Sequence, residues 1–101
     1  MIVVRDIFRL KFGQSKDAMP LWKEAAQLLR TSGYGAQSVR LLTDLAGPAY
    51  YTVVLESTFN SLSDFEKAFG AARDNAPWKG VYAKIIPLTE DGRREILSVV
   101  S

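Results

Sequence analysis

The stretch from Val39 to Phe69 constrains the fold of this chain more than any other part of the sequence. It contains two runs of β-branched, aliphatic and aromatic residues around a Gly-Pro turn, followed by the start of a helix. Pairing residues 39–45 with residues 51–57 in an antiparallel hairpin sets Leu41 opposite Leu55 and gives one clean apolar face. A shift of one residue would mix apolar and polar side chains on both faces. The stretch therefore predicts a β-hairpin with a helix directly after it.

The rest of the sequence adds strands and helices on either side of this hairpin. Ser61 and Asp64 have the spacing of a capping box, which marks the start of the helix after the hairpin. The other predicted elements are a strand over 2–12, a helix over 17–31, a short helix over 77–85 and a strand over 94–100. This order predicts an α+β fold, a ferredoxin-like βαββαβ sandwich with a four-stranded antiparallel sheet and a short extra helix before the last strand. The length predicts a single domain over residues 1–101.

Helices cover only one face of such a sheet. On the other face the hairpin mixes the apolar side chains of Leu42 and Val54 with Arg40 and Glu56, which the pairing places opposite each other as a cross-strand ion pair. A face of this kind is too apolar to stay against water, and its simplest partner is a second copy of the chain. We therefore expect a homodimer through the open sheet face, a dimeric α+β barrel, with a cavity for a small hydrophobic ligand between sheet and partner.

The composition excludes several kinds of catalytic and metal-binding site. The chain has 101 residues, no cysteine, no histidine and a net charge of +2 that is spread along the sequence. It therefore has no thiolate nucleophile, no zinc–thiolate site, no imidazole base and no imidazole ligand for haem. No apolar run approaches the roughly 20 residues of a membrane span, and we expect no signal peptide. We predict a cytoplasmic protein with no metal, no cofactor and no nucleic-acid or membrane partner.

Asp6 is the strongest candidate for a catalytic residue. It is a carboxylate on the parity of the first strand that otherwise carries apolar residues such as Phe8. Because an unpaired buried carboxylate is costly, one interpretation places Asp6 near solvent or pairs it with Arg5 or Arg40 at a sheet margin. The other makes Asp6 an acid or base and lets Arg40 stabilise an oxyanion. Arg40 and Glu56 can equally form a purely structural pair.

Seven further residues are predicted to contact a ligand. Tyr50, Trp78 and Tyr82 are expected to stack on the ligand, and the other four, Phe8 among them, lie on strands that border the expected cavity. Trp22, in contrast, is predicted to belong to the core. The predicted ligand-binding residues are Phe8, Leu42, Tyr50, Thr52, Val54, Trp78 and Tyr82.

Four segments carry a family resemblance over essentially the whole chain. They are Lys11-Phe12-Gly13 after the first strand, Thr43-Asp44 with Gly47-Pro48 in the hairpin, Leu55-Glu56-Ser57 before the helix, and Trp78 to Leu88 followed by Gly92-Arg93-Arg94-Glu95-Ile96. In these segments the chain resembles the dimeric α+β barrel superfamily, and within it the NIPSNAP-like and antibiotic-biosynthesis-monooxygenase-like small proteins. The resemblance implies the ferredoxin-like fold, although NIPSNAP-like chains more usually carry an Arg where Asp6 stands.

The resemblance also bears on function. The superfamily includes cofactor-free monooxygenases, haem-degrading oxygenases, muconolactone isomerase-like enzymes and members with no known activity. The haem-degrading branch uses an Asn on strand one, a Trp in the hairpin and a His on helix two. Here the first two positions hold Asp6 and Leu55 and the chain has no His, so haem degradation is not implied.

Three functional interpretations follow. The resemblance implies binding of a small hydrophobic or aromatic molecule, and as an activity a cofactor-independent monooxygenase or isomerase. The second interpretation is a non-catalytic ligand-binding or oligomerisation module. The third is an RNA-binding domain of the RRM type, which the sequence disfavours because residues 50–56 lack the RNP pattern and no basic patch is visible.

Overall fold

The computed structural model describes residues 1–35 and 38–101. Its elements are β1 (Ile2–Leu10), α1 (Ser15–Arg30), β2 (Val39–Thr43), β3 (Thr52–Phe59), α2 (Leu62–Arg73), α3 (Ala76–Ile85), a 3-10 turn (Ile86–Leu88) and β4 (Thr89–Ser98). The strands form one antiparallel sheet in the order β2-β3-β1-β4. The predicted α+β ferredoxin-like sandwich, with an extra helix before the last strand, is confirmed.

The hairpin has the predicted register, but its strands stop pairing further from the turn than predicted. Leu41 lies opposite Leu55, and Arg40 lies opposite Glu56. β2 ends and β3 begins closer to the centre of the sheet than the sequence pattern indicates, so residues 44–51 form the connection. Alternation of apolar side chains specifies which residues face each other, but it does not show where strand pairing stops.

The helix boundaries follow the capping chemistry in two of three cases. The Ser61 hydroxyl accepts a hydrogen bond from Asp64 N at 3.2 Å at the start of α2, as the capping-box spacing predicts. Asn75 caps α3 in the same way. α1 begins at Ser15, earlier than predicted, so Pro20 lies inside the helix rather than in its first turn. The buried apolar face of α1 outweighs the hydrogen bond that this proline cannot donate.

The last strand also begins earlier than the sequence pattern indicates. The sequence pattern predicts a strand that begins at residue 94, but Asp91 and Gly92 already pair with Arg9 and Phe8 of β1. A Cβ atom at position 92 would lie 2.6 Å from Phe8 Cδ1. Glycine is therefore required here because the Phe8 ring lies across β4 at this point.

The core lies between the helices and one face of the sheet. Val4 and Val53, at the centre of that face, are both 0% exposed and pack with the buried faces of all three helices. The opposite face carries no helix in the part of the chain that the structure describes; we call it the open face. The side chains of the open face include Arg5, Ile7, Arg40, Leu42, Thr52, Val54, Glu56, Arg93, Glu95 and Leu97. None of the described helices is long and apolar enough to cross a membrane.

Candidate functional site

A cavity of about 240 Å³ lies between the helices and the sheet. We call it the helix-side cavity. Pockets for drug-sized ligands typically measure roughly 300–1,000 Å³, so this one suits a smaller molecule. The sheet contributes Asp6, Phe8, Leu55 and Arg94 to its lining, and the connection between α1 and β2 contributes Tyr34. The helices contribute Trp22, Ala25 and Leu29 of α1, Phe69 and Arg73 of α2, and Trp78 and Tyr82 of α3.

Aromatic rings form much of the wall of this cavity. Trp78 and Tyr82 lie one turn apart on α3 and stack at 4.9 Å between ring centroids, with 13° between their planes. Phe8 and Trp22 are 4.8 Å apart and tilted by 40°. Flat apolar walls of this kind favour a flat, largely apolar ligand.

An ion pair between a buried aspartate and an arginine that reaches solvent contributes the charge. Asp6 is 8% exposed, and Arg94 Nε donates a hydrogen bond to Asp6 Oδ1 at 2.5 Å. The two residues are register partners on β1 and β4. Pairing with Arg94 offsets the cost of burying the carboxylate. The expectation that Asp6 lies near solvent or pairs with Arg5 or Arg40 is therefore corrected: its partner is Arg94, beneath the helices.

Two arginines converge on one phenylalanine ring in the same cavity. The guanidinium carbon of Arg94 lies 4.5 Å from the centroid of Phe69, and that of Arg73 lies 5.0 Å from it. Arg94 is also 5.1 Å from the ring of Phe65. Such cation–π contacts hold a guanidinium plane against a ring and leave its terminal N–H groups available.

Two neutral donors complete the polar part of the cavity lining. Trp22 is 2% exposed, and its Nε1 is buried without an acceptor among the described residues. Burial, and then the nearby charge of Asp6, raise the pKa of Tyr34 to about 12, against a smaller opposing effect of Arg94. Its hydroxyl is consequently protonated at neutral pH and can donate a hydrogen bond.

The structure divides the predicted site residues between the two faces of the sheet. Strand alternation sends Asp6 and Arg40 to opposite faces, so they do not meet within the chain. The cavity was expected on the open face, but four of the predicted residues lie beneath the helices instead. Asp6, Phe8, Trp78 and Tyr82 line the helix-side cavity; Arg40, Leu42, Thr52 and Val54 lie on the open face; Tyr50, 80% exposed, lies in the hairpin connection.

On the open face the predicted cross-strand pair is formed. Glu56 Oε1 accepts a hydrogen bond from Arg40 Nε at 3.1 Å, and Oε2 accepts one from Arg5 Nε at 2.9 Å. The hydrogen bond from Arg40, more than any other contact, lowers the pKa of Glu56, while burial opposes this shift. Both carboxylate oxygens are engaged by protein groups, which is the arrangement of a structural pair.

The open face also has a groove of about 510 Å³. The hairpin connection forms one side of it, and the strands form its floor. Thr52 and Val54 lie in it together with Ile7 and Arg93. Its lining is mainly aliphatic and charged, in contrast to the aromatic walls beneath the helices.

Sequence reasoning missed five aromatic or charged residues of the helix-side cavity. Trp22 was predicted as core only, and no local pattern gave the register between β1 and β4 that pairs Arg94 with Asp6. The one available signal was the unmatched charge of Asp6, which needs a basic partner on a neighbouring strand. The missed residues are Trp22, Tyr34, Phe69, Arg73 and Arg94. In residues 1–35 and 38–101, no group of three or more His, Cys, Asp or Glu side chains is placed to hold a metal ion.

The fold matches solved structures over nearly the whole chain. A NIPSNAP family protein from Agrobacterium tumefaciens superposes with a TM-score of 0.83 at 19% identity, covering 96% of this chain and 90% of that one. A NIPSNAP-like domain protein from Burkholderia xenovorans superposes with a TM-score of 0.85 at 19% identity, covering 99% and 85%. This chain has the fold of these NIPSNAP structures.

The same fold extends to a second group. A structure of an antibiotic biosynthesis monooxygenase superposes with a TM-score of 0.74 at 14% identity over 100% of both chains. Comparisons with family models and with curated protein sequences find no match. The ferredoxin-like NIPSNAP and monooxygenase resemblance inferred from the sequence is confirmed at the level of the fold.

Proposed function

We propose that this NIPSNAP-like protein binds a small, flat aromatic molecule in the helix-side cavity. The observation that carries the proposal is the aromatic enclosure formed by the stacked Trp78 and Tyr82 and by Phe8 and Trp22, with the Asp6–Arg94 ion pair beside it. Protein interiors are normally close-packed, with few voids larger than a water molecule. An open space of about 240 Å³ among rings is therefore better explained by a ligand than by core packing.

A homodimer through the open face is part of the same proposal. Arg40, Glu56, Arg5 and Glu95 form one row across all four strands, with alternating charge. An alternating row is self-complementary, because a two-fold rotation can set each positive group against a negative one. Neighbouring apolar side chains, among them Leu42 at 37% exposed and Leu97 at 43%, supply surface to bury. A cytoplasmic location remains our prediction from the sequence.

A catalytic role for the cavity is the second candidate. Only Oδ1 of Asp6 accepts a hydrogen bond from the described residues, which leaves Oδ2 open to a bound molecule. A carboxylate held this way can take a proton from a ligand and return it at another atom, the chemistry of a cofactor-independent isomerase. In a monooxygenase the same proton removal would leave a carbanion that O2 oxidises, with one oxygen atom entering the product and the other leaving as water. The shared fold with an antibiotic biosynthesis monooxygenase supports this candidate. Turnover lost in Asp6→Asn, with ligand binding retained, is the result we expect.

Intrinsic fluorescence tests the binding proposal directly, because both tryptophans of the chain line the cavity. We expect small aromatic compounds to quench this fluorescence and to raise the melting temperature. Trp78→Leu should weaken binding about tenfold, since a stacked ring contributes roughly 0.5–1.5 kcal/mol beyond its buried area. Tyr50→Leu, which removes an exposed ring outside the cavity, is the matched control. Equal binding by both variants, or no aromatic ligand at all, would contradict the proposal.

The dimer has a separate test. Light scattering should give the mass of two chains, and Arg40→Glu should convert the particle to one chain by placing like charges together in the row. A parent protein with the mass of one chain at all accessible concentrations would remove the homodimer from the proposal and leave the cavity unaffected.

A further inference from the structure

We propose that the helix-side cavity selects aromatic carboxylates over neutral aromatic molecules of the same shape. This inference rests on the proposed function and names the class of ligand. It follows from the charge, the unused hydrogen-bond donors and the positions of two arginines around the cavity.

The charged groups that line the cavity do not balance. They are one carboxylate, Asp6, and two guanidinium groups, Arg73 and Arg94. Arg94 is paired with Asp6, whereas Arg73 forms no ion pair with any residue that the structure describes. One positive charge is therefore left at the cavity, and a bound anion would neutralise it.

The hydrogen-bond donors show the same excess. Arg94 uses Nε to bind Asp6, and its terminal nitrogens donate to no other described residue. A carboxylate has two oxygens and about four acceptor positions, so one such group can accept from the terminal nitrogens of Arg94 and from Arg73 at once. A neutral amide of the same size brings a single acceptor oxygen and two extra donors.

The two guanidinium groups both line the cavity and both lie near one ring. They are 4.5 and 5.0 Å from the centroid of Phe69. Arg94 lies beside Asp6, and both arginines reach solvent. A planar carboxylate in the cavity can accept parallel N–H···O bonds from a guanidinium fork, while its ring lies against the aromatic wall.

Titration calorimetry with 2-naphthoate and 2-naphthamide tests the inference, because the two probes share shape and ring and differ in charge. We expect the intact protein to bind 2-naphthoate at least about tenfold more tightly, the size of effect typical of a charge-assisted hydrogen bond. Arg94→Gln would leave a buried carboxylate unpaired and risks unfolding, so Arg73→Gln is the informative variant. It should lower the preference for the acid about fivefold or more.

Lys79→Gln provides the matched control. Like Arg73→Gln, it removes one positive charge, but at an exposed position on α3 that does not line the cavity. The preference for 2-naphthoate should be unchanged. An equal loss in both variants would show a general effect of net charge and would overturn the inference.

The remaining outcomes separate this inference from the proposed function. Equal binding of both probes by the intact protein overturns the carboxylate preference and leaves aromatic binding in place. Binding of neither probe, together with no response in the fluorescence screen, overturns both. A preference for the acid that survives Arg73→Gln undiminished also overturns the assignment of the anion to this pair of arginines.

Discussion

The two faces of the sheet hold their buried carboxylates in different ways. Glu56, on the open face, has each oxygen bound by a different arginine, Arg5 and Arg40. Asp6, beneath the helices, has one oxygen bound by Arg94. The first carboxylate is fully used by the protein itself. Asp6 has one oxygen left without a hydrogen bond from the described residues. The nearby Arg73 has no carboxylate partner among those residues, so both groups can bind a ligand.

The two faces also differ in how far their side chains are buried by other parts of the chain. Val53 and Val54 are neighbours on β3, yet Val53 is 0% exposed against the helices, while Val54 is only half-buried on the open face. One face is thus covered by helices of the same chain, whereas the other still exposes apolar side chains. The contrast indicates that stability resides mainly on the helix side, and it leaves the open face as the surface of the proposed homodimer.

The largest difference should appear between Val53→Ala and Val54→Ala. Truncating the fully buried valine should lower the free energy of unfolding by about 2 kcal/mol, because it leaves a cavity in a packed core. The same truncation on the open face should cost less than about 1 kcal/mol at low protein concentration. Urea denaturation at two concentrations measures both. A cost for Val54→Ala that grows with concentration would sharpen the case for the dimer, and equal costs would break the contrast.

Gly92→Ala should have the next largest effect. The new Cβ would lie 2.6 Å from Phe8 Cδ1, so the ring must move away from β4 and into the helix-side cavity. We expect a loss of about 1–2 kcal/mol of stability from this overpacking, together with weaker binding of 2-naphthoate. Gly47→Ala is the control, since nothing lies within 4 Å of a Cβ at that position. Normal ligand affinity in Gly92→Ala would show that Phe8 does not shape the cavity.

The two carboxylates themselves offer a smaller and more specific comparison. Glu56→Gln should cost about 1 kcal/mol, less than the roughly 3–5 kcal/mol of a fully buried pair, because both of its arginines reach solvent. It should leave the affinity for 2-naphthoate unchanged. Asp6→Asn should raise that affinity a few-fold, since it removes the one negative charge from the cavity. If Glu56→Gln alters ligand affinity, the separation of the two faces into a structural and a binding side is incorrect.

The two faces should also respond to opposite ends of the pH scale, with the smallest effects. The pKa of Glu56 is lowered in the folded state, so its contribution to stability is present above the unfolded value and is lost as the pH falls through the folded one. The pKa of Tyr34 is raised from 10.0 to about 12, so its contribution is intact below pH 10.0 and disappears as the pH rises towards 12. In a plot of melting temperature against pH, Glu56→Gln should weaken the fall at acid pH, and Tyr34→Phe should weaken the fall at alkaline pH. Unchanged slopes would contradict these assignments.

Local patterns explain why much of the fold was predictable. The Ser61 cap, the pairing of Leu41 with Leu55 and the Arg40–Glu56 ion pair all depend on residues close together in the sequence. Their outcome is set by spacing and side-chain chemistry within one hairpin or one helical turn. The contact between Trp78 and Tyr82 arises for the same reason, because these residues lie four positions apart on one helix.

The sequence by itself therefore determined the order of the elements, the register of the hairpin and the presence of an unmatched carboxylate on the first strand. Only the tertiary structure decided that this carboxylate faces the helices and that Arg94, 88 residues away, is its partner. The pairing depends on the register between β1 and β4, in which Phe8 fits over Gly92. Strand alternation then assigns each side chain to a face, and a shift of one residue in that register would place each side chain of β4 on the other face.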